Sequence, residues 1–199
     1  MTRPPPESDR LLRKVLGDTY VELELGRLTL DEEPERSAVV KVTVIERGSK
    51  IEVEGRGVGM VDALYSGLLG RYALEYQSLR TVKLASFDLA AEVETKQGGA
   101  GVDAVGTVTI DVLNSEGRRF SFSDSSRSMT ASAARAVLGV VQYFVNAERA
   151  FLTLYRARRD ALERGRDDLV VRYTAEMAEV VESTSYADVI DAIRKELGG

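Results

Sequence analysis

The chain has 199 residues, 44% of them hydrophobic and 30% charged, with a formal net charge of −5. That is a globular balance able to form a core, without the overall basic footprint of a nucleic-acid binder. It contains neither cysteine nor histidine, which excludes disulfides, thiolate chemistry, the commonest general base and the commonest ligand for zinc and iron.

These limits predict a chain that is not an enzyme and carries no cofactor or metal. The start, Met1 to Pro6, is polar and proline-rich and lacks the apolar run of a signal peptide. No window approaches the ~20 apolar residues of a membrane helix. The expectation is a cytoplasmic protein with no membrane or nucleic-acid partner.

Residues 1–18 read as a lead-in, with Ser8 capping a short helix from Asp9 to Leu16 and Gly17 ending it. Thr19 to Leu30 alternates with strand periodicity, Tyr20, Glu22 and Glu24 against Val21, Leu23 and Leu25. After a polar connection with Pro34, Ala38 to Ile45 is a second strand. Arg47-Gly48-Ser49 is a turn and Lys50 to Glu54 a third strand, so 38–54 forms a hairpin. Gly55, Gly57 and Gly59 make a glycine-rich loop into a helix from Val61 to about Leu74.

The pattern then repeats. Val82 to Glu94 is extended, 96–101 is a loop, Val105 to Leu113 is a strand, Asn114 to Gly117 a turn and Arg118 to Ser123 a strand. Asp124 to Ser128 is a polar loop before a long helix from Thr130 to about Arg159. The fold class predicted is α+β: two duplicated β-β-β-α units, about 19–76 and 79–155, sharing one core. A charged helical extension, 156–199, follows. Gly165 interrupts it, Leu169 to Val181 gives one amphipathic helix, and Ser185 starts another through Leu197.

Several residue groups invite chemistry. The Gly55-x-Gly57-x-Gly59 loop lets backbone approach a ligand and aims helix N–H groups at an anion. It lacks the dinucleotide and P-loop spacings, and a tight structural turn is the commoner use of such glycines. Asp62, Glu75, Asp88, Asp103 and Asp124 lie near loops, where carboxylates more often serve as helix caps than metal ligands. Arg156, Arg158, Arg159, Arg164 and Arg166 are interleaved with acids and read as a salt-bridged helix face. The serines at 121, 123, 125, 126 and 128 have no histidine to activate them and read as loop and capping residues.

Six stretches carry a family resemblance: Tyr20–Leu25, Ser37–Val44, Glu54–Leu64, Leu84–Phe87, Gly99–Ala104 and Met129–Val137. In order and spacing they resemble the C-terminal allosteric and dimerisation domain of 2-isopropylmalate synthase and citramalate synthase. The most specific stretch is Glu54 to Leu64, which is similar to the family's E-G-x-G-N-G-P-V-D-A-L. The resemblance covers about 19–155 and no catalytic barrel. It implies a homodimer that binds a branched-chain amino acid, leucine or isoleucine, near its interface. The matching positions are Gly57, Gly59, Val61, Asp62, Ala63, Asp103 and Ala104.

The sequence departs from the family where Asn-Gly-Pro becomes Val58-Gly59-Met60, where Asp-Tyr becomes Ser86-Phe87, and where W-G-x-x-G-V-S becomes Phe120 to Ser126 without its glycines. Two functions follow as expectations. One is a non-catalytic regulatory module that senses a branched-chain amino acid. The other is a structural scaffold that has lost its ligand and docks protein partners through its C-terminal helices.

Overall fold

The computed structural model describes residues 6–92 and 105–182. Helix α1 spans Pro6–Leu16 and leads through a 3-10 turn at Gly17–Thr19 into strand β1, Leu23–Glu33. Strands β2 (Ser37–Glu46) and β3 (Ser49–Gly57) follow, then α2 (Met60–Tyr72). A second 3-10 turn at Gln77–Thr81 leads to β4 (Lys83–Glu92), β5 (Val105–Leu113), β6 (Arg119–Ser126) and α3 (Met129–Glu163); α4 (Asp167–Glu182) comes last.

Two three-stranded antiparallel sheets result, in the orders β1-β2-β3 and β4-β5-β6. Their registers superpose position by position. Val40 faces Gly55, Val42 faces Val53 and Val44 faces Ile51. In the second sheet, Val108 faces Asp124, Ile110 faces Phe122 and Val112 faces Phe120. Even the irregularities agree, since the first strand of each sheet carries a break, between Leu25 and Leu28 and between Leu84 and Ser86. The predicted duplication is present, with α2 packed on β3 and β2, and α3 on β6 and β5.

Both units feed one core, because strand periodicity of two puts Val40, Val42 and Val44, and likewise Val108, Ile110 and Val112, on the helix-facing side. Phe120, Phe122, Tyr143 and Phe144 form its aromatic centre, with ring centroids 5.4–5.9 Å apart. Helix α3 is the spine: α1, α2, α4 and both sheets contact it. Gly165, at φ 65°, turns the chain between α3 and α4.

Several boundaries differ from expectation. Helix α1 begins at Pro6, so Ser8 lies inside it; proline is accommodated in a first helical turn. Tyr20 to Glu22 alternates yet is not strand: the Val21 N–H donates to Asn146 Oδ1 and Asn146 Nδ2 donates to the Val21 carbonyl, both at 2.8 Å. The segment is held by a helix instead of by a neighbouring strand. Asp124 to Ser126 extends β6 and is not a loop, since its backbone pairs with Gly106 to Val108. The expected loop at 96–101 and the helix from Ser185 lie outside the described residues.

The serines of β6 explain how so polar a strand is tolerated. On the solvent-facing side of its sheet, Ser123 bonds Thr109 and Ser125 bonds Thr107 across strands. Beside them Asp111 accepts from Ser121, from Ser86 at 2.9 Å and from Arg119 at 3.2 Å. The Ser121 bond, aided by Ser86 and Arg119 against the opposing effect of burial, holds the Asp111 carboxyl below the usual range. A carboxylate depressed in the fold stabilises it above the unfolded value of about 4, and that contribution is lost as pH falls through the folded value. Melting temperature should therefore fall more steeply from pH 5 to pH 2 in the natural chain than in Asp111→Asn; parallel profiles would contradict this.

Candidate functional site

The glycine-rich loop joins β3 to α2, and each glycine has a different reason to be there. Gly55 lies against α2: a Cβ on it would stand 2.0 Å from the Ala63 carbonyl oxygen and 2.9 Å from Gly67 Cα. Gly67 reciprocates from the helix, where a Cβ would stand 2.7 Å from Gly55 Cα. This glycine pair closes the strand–helix seam. Gly57 sits under the helix start, where a Cβ would meet Asp62 Oδ2 at 2.5 Å and Ala63 N at 2.6 Å. Gly59 is the N-cap, in extended backbone, and the nearest atom to its Cβ position is Glu32 Oε1 at 3.7 Å. Among the described residues, the space beside the loop is open there.

The other predicted residues fall around this turn. Asp62, exposed in the first turn of α2, accepts from the Val58 N–H at 3.1 Å and so ties the loop to the helix. Ser66 Oγ donates to the Arg56 carbonyl at 2.9 Å and fastens the next turn. Ala63 is fully buried, and its N–H donates to the Gly59 carbonyl. Val61 is half-buried and Val58 is 78% exposed. The structure thus brings Gly57, Gly59, Val61, Asp62 and Ala63 together; Asp103 and Ala104 lie outside the described residues.

The two helix starts differ. Helix α3 is capped: Ser128 Oγ accepts from the Ala131 N–H at 3.3 Å. Helix α2 has glycine at its N-cap and no side-chain cap. Among the described residues, the N–H groups of Met60, Val61 and Asp62 have no acceptor. Such groups at a helix N-terminus favour an anion.

The second unit also shows what replaces its lost glycines. Asp124 stands where the first unit has Gly55. It pairs with Arg135 of α3 at 2.8 Å. Burial raises the Asp124 carboxyl, but the hydrogen bonds from Arg135 and Ser132 outweigh it and bring the net shift below the usual range. Ser126, opposite number of Gly57, bonds Ser132 Oγ at 2.8 Å. A polar seam holds strand to helix here, in place of backbone contact.

Remaining candidates scatter. Glu75 pairs with Arg71, and Asp88 accepts from Ser86; among the described residues no group of three potential metal ligands forms. In the arginine cluster, Arg159 pairs with Glu163, Arg164 with Asp160 and Arg166 with Asp168, while Arg158 bonds Thr174. Among the described residues, no helix is long and apolar enough to cross a membrane.

Sequence reading missed a cleft of about 350 Å³ at the α1–β1 junction, lined by Arg13, Asp18, Tyr20, Glu22, Glu24 and Arg47. Burial, reinforced by Asp9, pushes the Tyr20 hydroxyl up to about 12. It missed two buried clamps as well, Asn146 on Val21 and Glu148 on Ser78, whose partners are too distant in sequence to leave a local signal.

The family model for the LeuA allosteric (dimerisation) domain matches residues 8–145. The chain belongs to the LeuA allosteric (dimerisation) domain family. The match runs from α1 through the first half of α3 and takes in both β-β-β-α units. The family's domain is an allosteric and dimerisation module. No curated protein matches the chain.

Proposed function

We propose that this protein is a homodimeric, non-catalytic regulatory module of the cytoplasm that binds a branched-chain amino acid at the start of α2. One observation carries the reading. The N–H groups of Met60, Val61 and Asp62, which have no acceptor among the described residues, follow a glycine N-cap, whereas at the start of α3 Ser128 Oγ accepts from the Ala131 N–H. A ligand carboxylate would accept from those groups, aided by the helix dipole. The side chains of Val58, Met60 and Val61 supply apolar surface for leucine or isoleucine beside it.

A second reading has its own support. Asp62 already occupies the Val58 N–H, and Glu32 lies near Gly59. Two acids at an anion-receiving turn favour a scaffold that has lost its ligand and docks partners through its C-terminal helices.

Thermal unfolding in the presence of each common amino acid separates them. Ligand at 100 times its dissociation constant stabilises by about 2.7 kcal/mol. A selective rise with leucine, isoleucine or valine supports the sensor, and Gly59→Leu, which fills the one open flank of the loop, should abolish it. An equal response to all amino acids, or none, supports the scaffold.

A further inference from the structure

We infer that the junction of α1, α3 and α4 is a binding site for a small carboxylate with a short apolar tail. A cleft of about 220 Å³ opens between the three helices. Val15 of α1, Leu154 and Ala157 of α3 and the ring of Tyr173 on α4 supply its apolar wall. Leu154 is buried and the other three are half-buried, so the wall is continuous with the core. Lys14 of α1 and Arg172 of α4 bring two cations to the same cleft.

The protein leaves part of that charge unanswered. Glu176 Oε1 accepts from Lys14 Nζ at 2.9 Å and from Arg172 Nε at 3.2 Å. Burial raises the Glu176 carboxyl, but the bonds from Lys14 and Arg172 outweigh it and hold it below the usual range. One ionised carboxylate against two cations leaves the lining one positive charge in excess. Arg172 uses only its Nε for Glu176. Among the described residues, the two terminal amino groups of its guanidinium have no acceptor. Such a fork fits the two oxygens of a carboxylate, and Arg172 is exposed enough to be reached.

These features select the ligand. A single excess charge suits a monoanion, and the apolar wall suits a hydrocarbon tail. A cavity of about 150 Å³ holds a benzene ring, so this cleft admits a carboxylate with a tail of about five carbons. Of its lining residues only Lys14 and Val15 fall within 8–145, the span that the family model matches. The second half of α3 and α4 build the rest, apart from the start of α2. An occupant that accepts from both cations fastens α4 to α1.

The probe is hexanoate, titrated into the full chain by isothermal calorimetry and followed by amide chemical shifts, with hexanamide as its uncharged counterpart. Saturable binding of hexanoate is expected, with shifts centred on Lys14, Thr153 and Arg172. Hexanamide should bind at least ~10-fold more weakly, because hydrogen bonds to charged groups are the stronger ones. Arg172→Met should weaken hexanoate by a similar factor while keeping its far-ultraviolet circular dichroism, since the residue is exposed. Ala157→Leu, which fills the cleft, should abolish binding. No saturable binding at millimolar hexanoate, equal binding of the amide, or an affinity unchanged by Arg172→Met overturns the site. Shifts centred instead on Met60, Val61 and Asp62, and lost in Gly59→Leu, assign the carboxylate to the start of α2; that result overturns this site and supports the other.

Discussion

Gly55→Ala should be among the most damaging single substitutions in this chain, costing about 3 kcal/mol, at the upper end of the usual overpacking penalty. The added methyl would meet the Ala63 carbonyl oxygen at 2.0 Å and Gly67 Cα at 2.9 Å, and both are backbone. A flexible side chain could swing aside; a helix backbone cannot without lifting α2 from β3. At about 2–4 °C per kcal/mol for a domain of this size, the melting temperature should drop by ~6–12 °C. Gly67→Ala should behave alike, because it meets Gly55 from the other side. Gly70→Ala is the control: nothing lies within 4 Å of its Cβ position, and alanine favours the helix. If Gly55→Ala unfolds with the natural chain, the close seam is wrong.

Asn146→Ala should be comparably severe, for a different reason. Asn146 is fully buried and both donates to and accepts from Val21, itself fully buried. Removing the side-chain amide leaves the Val21 N–H and carbonyl without partners in the core, at about 1–3 kcal/mol for each unsatisfied group. A loss of roughly 3 kcal/mol is expected in urea unfolding. Asn146→Leu should not rescue it, since shape without hydrogen bonding leaves the same groups unpaired. The expected site of damage is the α1–β1 junction, so amide exchange should accelerate first at Val21 and Leu23. A variant that unfolds with the natural midpoint would show the clamp to be dispensable.

The two positions mark the limit of what the sequence makes legible. The duplication is readable because hairpin periodicity and turn glycines are local signals: Val105–Leu113 has the predicted bounds, and Ser37–Glu46 differs by one residue at each end. The Gly55–Gly67 contact is not readable, since twelve residues separate them and only the packing of α2 on β3 brings them together. Asn146 and Glu148 look like ordinary polar residues on a helix; their partners lie 125 and 70 residues away. Tyr20 to Glu22 imitates a strand because the same alternation of apolar and polar residues serves a segment lying along a helix. Asp124 looks like a loop residue until Arg135 of α3 is placed over it. At the candidate site the residues are readable and the geometry is not. Spacing brings Gly57, Gly59 and Asp62 into one turn, but it does not show that Asp62 folds back onto Val58 while the first amides of α2 have no acceptor among the described residues.

Those amides carry the account. The most direct measurement is amide chemical-shift perturbation by NMR in the full chain during titration with leucine and, separately, isoleucine. The account predicts saturable shifts centred on Met60, Val61 and Asp62, absent in Gly59→Leu. Saturable shifts elsewhere, or none with either amino acid at millimolar concentration, would contradict a ligand site at the start of α2 and leave this LeuA domain as a scaffold.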